Sequence, residues 1–178
     1  MELVGTKIRL RPFAVDDLSK MAFWNKDEEL QVYVDCDLPG NRDELEIWYH
    51  DNIPDRYYRI FAIETLKGQL IGDLELDHIC WIKREAELRI RIGEKGYWGQ
   101  GIGAEALRLI LEHVFTVRQF RRVYLRVYHF NERAIRCYSK LGFRPIGRLH
   151  RNTGNWKDII LMELSNREYQ RGLRSLAG

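Results

Sequence analysis

Three glycines within five residues, Gly99, Gly101 and Gly103, stand between a stretch that alternates like a strand and one that repeats like a helix. The run Tyr97-Trp98-Gly99-Gln100-Gly101-Ile102-Gly103-Ala104-Glu105-Ala106-Leu107 continues as an apolar-rich helix to Val117. Before it, Leu88 to Ile92 alternates apolar and charged side chains, as a half-buried strand does. The order is strand, glycine loop, helix. A loop so poor in Cβ atoms lets a ligand lie directly against its backbone N–H groups. Those N–H groups include the unpaired donors that open the helix, and the helix dipole adds positive potential there. Such a turn can seat phosphate, although the same glycines also serve as plain helix punctuation. No lysine follows in Walker position, and no acidic strand end follows at dinucleotide-fold distance, so neither of those motifs fits.

At 178 residues the chain reads as one domain, 1–178, with room for a proper core. A hydrophobic share of 45% against 31% charged sets it among ordinary globular proteins, and a net charge of +3 is too small to argue for nucleic acid. No direct nucleic-acid binding is expected. Cys36, Cys80 and Cys137 are odd in number and lack metal-ligand spacing. The expectation is a reduced, cytoplasmic protein with no disulfide framework. His78 and Cys80 could both touch a metal, but no second pair accompanies them, so no metal site is expected. No signal core opens the chain and no run of about 18 apolar residues occurs, so no membrane association is expected.

Along the chain, Thr6–Arg11 reads as a first strand ended by Pro12, and a first helix runs from Asp16–Asp17 to about Trp24 or Asn25. Asp27 to Asp37 reads as an acidic, irregular segment. Asn41 caps a second helix that packs through Leu45, Ile47, Trp48 and Tyr49. Tyr57–Glu64 and Gln69–Ile79 form a hairpin about Lys67-Gly68. Strands over Glu87–Ile92 and Arg121–Tyr128 flank the long helix. A short helix follows from Asn131 to Gly142. Phe143–His150 and Trp156–Leu164 close the sheet about the turn at 152–155, and the tail from about 165 is expected to fray.

The central strands sort their side chains by face. Leu74, Leu76, Leu88, Ile90, Ile92, Val123, Leu125 and Val127 fall on one set of alternating positions. Asp73, Glu75, Asp77, Glu87, Arg89, Arg91, Arg122, Tyr124, Arg126 and Tyr128 fall on the other. Charges on interior strands are costly unless paired or wet. That face therefore carries cross-strand ion pairs or lines an open groove.

A second motif, Asn131-Glu132-Arg133-Ala134-Ile135-Arg136-Cys137-Tyr138-Ser139-Lys140-Leu141-Gly142-Phe143, sets Tyr138 seven residues after a capping asparagine, on the same side of the helix. Together with the glycine loop it resembles the GNAT superfamily of acetyl-CoA-dependent N-acetyltransferases. That family's phosphate motif is Arg or Gln, two residues, Gly, one residue, then Gly or Ala. Gly101 and Gly103 match it, and Trp98 replaces its first residue. The opening Gly5–Pro12 looks like the start of the ribosomal-protein alanine N-acetyltransferases, and Ile71–Phe143 is similar to bacterial spermidine N-acetyltransferases. The resemblance implies an α/β (α+β) three-layer fold: a mixed, strongly twisted sheet of six or seven strands, helices on both faces, and two splayed central strands. It implies acetyl-CoA as donor, its pantetheine along Ile90, Arg91 and Ile92. Its pyrophosphate would rest on Trp98, Gly99, Gln100, Gly101, Ile102, Gly103 and Ala104. Asn131, Ala134, Tyr138 and Lys140 would lie beside the arm. Relatives by resemblance are often dimers, so a homodimer is among the assemblies it allows.

The resemblance also assigns roles. Tyr138 is the candidate general acid for the departing thiolate, and Glu87 the candidate base acting through water, with Asp73 and Glu75 next on the neighbouring strand. A peptide α-amine has a reference pKa near 8 and a lysine-like amine near 10.4, so the latter needs about 3.4 kcal/mol more deprotonation work. An acidic pocket eases that work. Asp73 and Glu75, with Glu28 and Glu29 from the segment that also holds Asp27, Asp35 and Asp37, are candidate acceptor-binding residues. A peptide or ribosomal-protein amino terminus is favoured modestly as acceptor. A polyamine is the alternative and a drug-like small amine the third choice. A non-catalytic acyl-CoA-binding module and an RNA binder using Arg122, Arg126 and the Arg-rich tail are the readings from other classes.

Overall fold

The computed structural model describes residues 1–34, 39–150 and 157–176; Asp35, Cys36, Asp37, Trp156 and the turn at 152–155 lie outside them. One eight-stranded sheet runs in the order β1-β2-β3-β4-β5-β6-β8-β7. Its strands are β1 (Leu3–Val4), β2 (Ile8–Pro12), β3 (Arg59–Thr65), β4 (Leu70–Cys80), β5 (Glu85–Ile92), β6 (Arg122–Tyr128), β7 (Arg144–Leu149) and β8 (Ile159–Ser165). The count exceeds the expected six or seven because Leu3–Val4 adds a two-residue edge strand on β2. Every neighbouring pair is antiparallel except β5 and β6, which run parallel and are joined through helix α4 (Ile102–Glu112). A parallel pair needs such a crossover, and it leaves both strand ends and the helix start at one edge of the sheet.

Helices cover both faces, as expected. On the apolar face, α4 and α5 (Glu132–Lys140) close a core of Ile8, Leu10, Leu74, Leu88, Leu107, Val123, Leu125 and Tyr138. On the opposite face, α1 (Leu18–Asn25) and α3 (Arg42–Asn52) cover the β3 side through Leu18, Met21, Leu45, Tyr58, Ile60 and Ala62. Beyond that cover, Trp24 packs under the Arg91 guanidinium, 5.5 Å from ring centroid to cation.

Three expectations change. The segment after Asp27 is not wholly irregular: α2 (Glu28–Gln31) forms because the Asp27 carboxylate accepts the N–H groups of Glu29 and Leu30, and Leu30 is buried. Ile47 does not pack. It sits 65% exposed on α3, whose contact side is carried by Leu45, Trp48 and Tyr49. The tail is helical rather than frayed. In α6 (Asn166–Leu176), Tyr169 packs tilted against Phe115 at 4.9 Å, and the Asn166 amide donates to the carbonyls of Phe115 and Phe120. A polar composition concealed this docking.

Two glycines let neighbouring segments close on β5. A Cβ on Gly72 would meet the Arg91 carbonyl at 2.2 Å, and one on Gly93 would meet the fully buried Trp24 ring at 2.1 Å. Since the Arg91 carbonyl is backbone, Gly72→Ala is expected to cost about 3 kcal/mol of stability, at the upper end of overpacking losses. Urea unfolding measures this, and a loss below about 0.5 kcal/mol would show that the two strands can part.

Candidate active site

The parallel ladder between β5 and β6 is short. It pairs Glu85 with Arg122, Ala86 with Val123 and Glu87 with Tyr124, and then stops. Past that point β5 stays on β4, from Leu88 opposite Leu76 to Ile92 opposite Gly72. β6 stays on β8, from Leu125 opposite Met162 to Tyr128 opposite Ile159. Each arm is held by its outer neighbour, so the inner edges diverge without either strand unravelling. The gap is a cavity of about 500 Å³. Its walls include Leu88, Ile90, Leu107 and Val127 from the apolar face and Asp73, Glu75, Glu87 and Arg126 from the charged face. It is a slot through the sheet.

The glycine loop forms one end of the slot. Gly99 and Gly101 adopt φ of 74° and 81°, which side-chain-bearing residues rarely take. Gly101 is the N-cap of α4 and no side chain caps the helix, whereas Asp27, Asn41 and Asn131 cap α2, α3 and α5. The opening N–H groups of Ile102, Gly103 and Ala104 therefore lack both an intrahelical and a side-chain partner. A Cβ at Gly99 or Gly101 would meet no atom within 4 Å, and one at Gly103 would only touch Ile92 Cγ1 at 4.0 Å. That space, backed by uncapped donors, fits a diphosphate. Trp98 is fixed by its indole N–H, which donates to the Ile92 carbonyl at 2.8 Å.

Tyr138 enters the slot from α5. The Asn131 side chain accepts the Ala134 N–H at 3.2 Å and starts this helix, and Gly142, at φ 95°, stops it. The Tyr138 ring packs edge-on against Phe143 at 5.9 Å and is 8% exposed. Burial, with a smaller contribution from Cys137, pushes its hydroxyl well above the usual tyrosine range, so it keeps its proton at working pH.

The charged face both pairs and lines the slot. Arg91 donates to one Asp73 oxygen through Nε at 2.9 Å and Nη2 at 2.8 Å, and to Asn25 at 2.6 Å. Glu87 sits at the apex of the fork with Arg126 at 2.8 Å and Arg89 at 3.4 Å on one oxygen and the His78 ring at 3.4 Å from the other. Glu75 is held more loosely: Arg89 lies 3.6 Å from it, beyond hydrogen-bond length. Burial first, and then the charge on Asp73, pushes Glu75 up to about 7. Asp73 is also raised by burial, against the pull of Arg91. Tyr58, buried on the same side, is raised by burial and by the nearby carboxylates Glu75 and Asp73.

Among the expected site residues, Asp73, Glu75, Glu87, Ile90, Arg91, Ile92, Trp98, Gly99, Gly101, Ile102, Gly103, Ala104, Asn131, Ala134, Tyr138 and Lys140 all line the cavity. Gln100 does not: its side chain turns back to the Gly96 carbonyl at 2.6 Å. Glu28 and Glu29 do not either. The capped turn of α2 buries Leu30 and points them to solvent, where Glu29 pairs with Lys95 at 2.7 Å. Leu30, Tyr33 and Val34 reach the cavity from the end of α2 without any periodic signal in the sequence to announce them. Arg133 had such a signal, since it lies one and two turns before Cys137 and Lys140 on the same helix face.

A split parallel pair opening on an uncapped glycine loop, with a buried tyrosine from the next helix, defines an acetyl-CoA-dependent N-acetyltransferase. Residues 7–144 match the acetyltransferase (GNAT) domain, and the chain belongs to that family. It is 28% identical over 169 residues to spermidine N(1)-acetyltransferase of Vibrio cholerae, covering 93% of this chain and 97% of that one. It is 31% identical over 175 residues to the Escherichia coli K12 enzyme of the same name, covering 91% and 88%. The crystal structure of the V. cholerae enzyme in complex with CoA and spermine superposes with a TM-score of 0.84 at 28% identity, over 93% and 99% of the two chains. The chain is an enzyme that acetylates amines.

Two outcomes test the geometry. Gly103 lies outside the left-handed region and its neighbours leave space, so Gly103→Val is expected to fold while filling the phosphate's place. Calorimetry should then show CoA affinity reduced at least about 100-fold, the scale of several charge-assisted hydrogen bonds; retained affinity would refute the cradle. The second concerns stability. Glu75 binds its proton more tightly folded than unfolded, so its contribution is fully present below pH 4.5 and is lost as pH rises through about 7. Above that, its ionised form opposes folding by on the order of 3 kcal/mol. Glu75→Gln should therefore be more stable than the parent at pH 8, with the advantage shrinking toward pH 5 in urea unfolding.

Proposed function

We propose that this enzyme acetylates a polyamine of the spermidine and spermine class at a primary amine, with Glu75 as base and Tyr138 as acid. The observation that carries the reading is a buried carboxylate, raised to about 7, in the same slot as the proton-bearing Tyr138. A lysine-like ammonium needs its proton removed before it can attack, and a base with pKa near the working pH does this most efficiently. Asp73, Glu75 and Glu87 offer an acidic wall for such a cation, which a peptide terminus needs less. The opening segment favours a peptide amino terminus, but relatives named as spermidine N-acetyltransferases across nearly the whole chain support the polyamine.

When bound, acetyl-CoA supplies a thioester carbonyl open to attack. The acceptor ammonium gives one proton to Glu75, the freed nitrogen pair forms the C–N bond, and the nitrogen's second proton passes to solvent as the adduct becomes the amide. As the C–S bond breaks, Tyr138 gives its proton to the leaving sulfur, and solvent restores both side chains. Glu87, already engaged by two guanidinium groups, holds the fork's apex in this scheme. Oligomerisation belongs to the same proposal, since a structure of the V. cholerae relative, with a TM-score of 0.80 and 28% identity, is dodecameric.

The test is thiol release with spermidine, spermine and an alanine-initiated peptide. Polyamines should react faster, and a faster peptide would restore the first reading. The kcat/KM profile for spermidine should rise through a limb near pH 7. Glu75→Gln should remove that limb and lower kcat/KM about 100-fold or more, within the range of general-base catalysis. Tyr138→Phe should lower kcat comparably while CoA affinity stays within twofold. A limb that survives Glu75→Gln and vanishes in Glu87→Gln would move the base to Glu87.

A further inference from the structure

The glycine loop has no cation of its own facing the slot; Trp98 stands at its start. The Arg133 guanidinium from α5 lies over the Trp98 ring, 4.2 Å from its centroid, and 6.0 Å from that of Tyr33. Among the described residues Arg133 has no carboxylate within ion-pair distance, whereas Arg136, one turn on, pairs with Glu132 at 2.8 Å. The ring beneath it is fixed, because the Trp98 indole N–H is bound to the Ile92 carbonyl and Tyr33 packs edge-on at 6.3 Å. Arg133, Trp98 and the open face of Gly101–Gly103 line one cavity. An exposed cation on an aromatic face is weakly held compared with one on a phosphate oxygen. Such a guanidinium is poised to move a short way onto an anion seated on the loop.

We propose that Arg133, parked on the Trp98 ring, is the side-chain cation that grips the diphosphate of the acetyl donor, and that Trp98 acts as its platform. The inference rests on the reading that the donor's diphosphate lies on residues 98–104. The platform does two things. It holds the guanidinium beside the seat before binding, which reduces the conformational freedom lost on capture. It also keeps the cation from pairing elsewhere on the surface. A bidentate fork suits a diphosphate, so lysine is not an equivalent replacement.

The probes are CoA and dephospho-CoA, titrated by calorimetry into the full-length protein between 50 and 300 mM salt. Arg133→Ala should weaken both about tenfold, as loss of one charge-assisted contact does. It should also flatten the dependence of log affinity on log salt by about one ion, as removal of one phosphate contact does. Trp98→Gln should weaken binding less, and should add nothing in the Arg133→Ala background. Trp98→Arg in that background should restore affinity and salt slope together. If Arg133→Ala leaves both affinities within twofold, or weakens CoA but not dephospho-CoA, the assignment to the diphosphate is overturned. A parent protein that binds neither ligand would instead overturn the reading beneath it.

Discussion

The end of hydrogen bonding between β5 and β6 after Glu87 and Tyr124 is the constraint on which the rest depends. A sheet ordinarily satisfies both edges of an interior strand, and leaving two edges bare in its middle is unfavourable. The fold tolerates it because each strand keeps a complete ladder on its other side, with β4 or with β8. The break also falls where the connectivity is useful. Both strands of a parallel pair end at one edge of the sheet, and the crossover helix begins there. The bare edges, the uncapped start of α4 and the start of α5 thus converge without any long loop.

The second requirement is to carry acids through the middle of a sheet. Asp73 and Glu87 are buried, yet each lies against a guanidinium: Arg91 for Asp73, and Arg126 with Arg89 for Glu87. Glu75 is the less compensated member, and its raised proton affinity follows from that shortfall. The pairing predicted for this face and the groove predicted for it are therefore not alternatives. Pairing fixes most of the acids and leaves one under-compensated at the slot. In the proposed reaction, proton transfer falls where the ion-pair network is incomplete.

The sequence exposed those features that local rules dictate. Alternation sorted the two faces of β4, β5 and β6, glycine spacing located the loop, and Asn131 with Gly142 bounded α5 correctly because capping is a short-range preference. What it concealed depends on tertiary contact. Glu28 and Glu29 looked like an acceptor pocket because charge alone carries no direction; one turn of helix, started by Asp27, turns them outward. The docked tail was missed because its anchors, a tilted aromatic pair, two amide bonds and the Arg144–Glu168 ion pair, join residues distant in sequence. Choosing between Glu87 and Glu75 as base requires knowing how many guanidinium groups surround each, and strand spacing cannot supply that number.

The slot is lined from both faces of the sheet, so in the proposed reaction donor and acceptor would enter from opposite sides and meet between the two strands. A passage bounded by backbone would then favour an unbranched chain tipped by –NH₂ over a nitrogen flanked by branching, and selectivity for slender molecules would precede any recognition of charge.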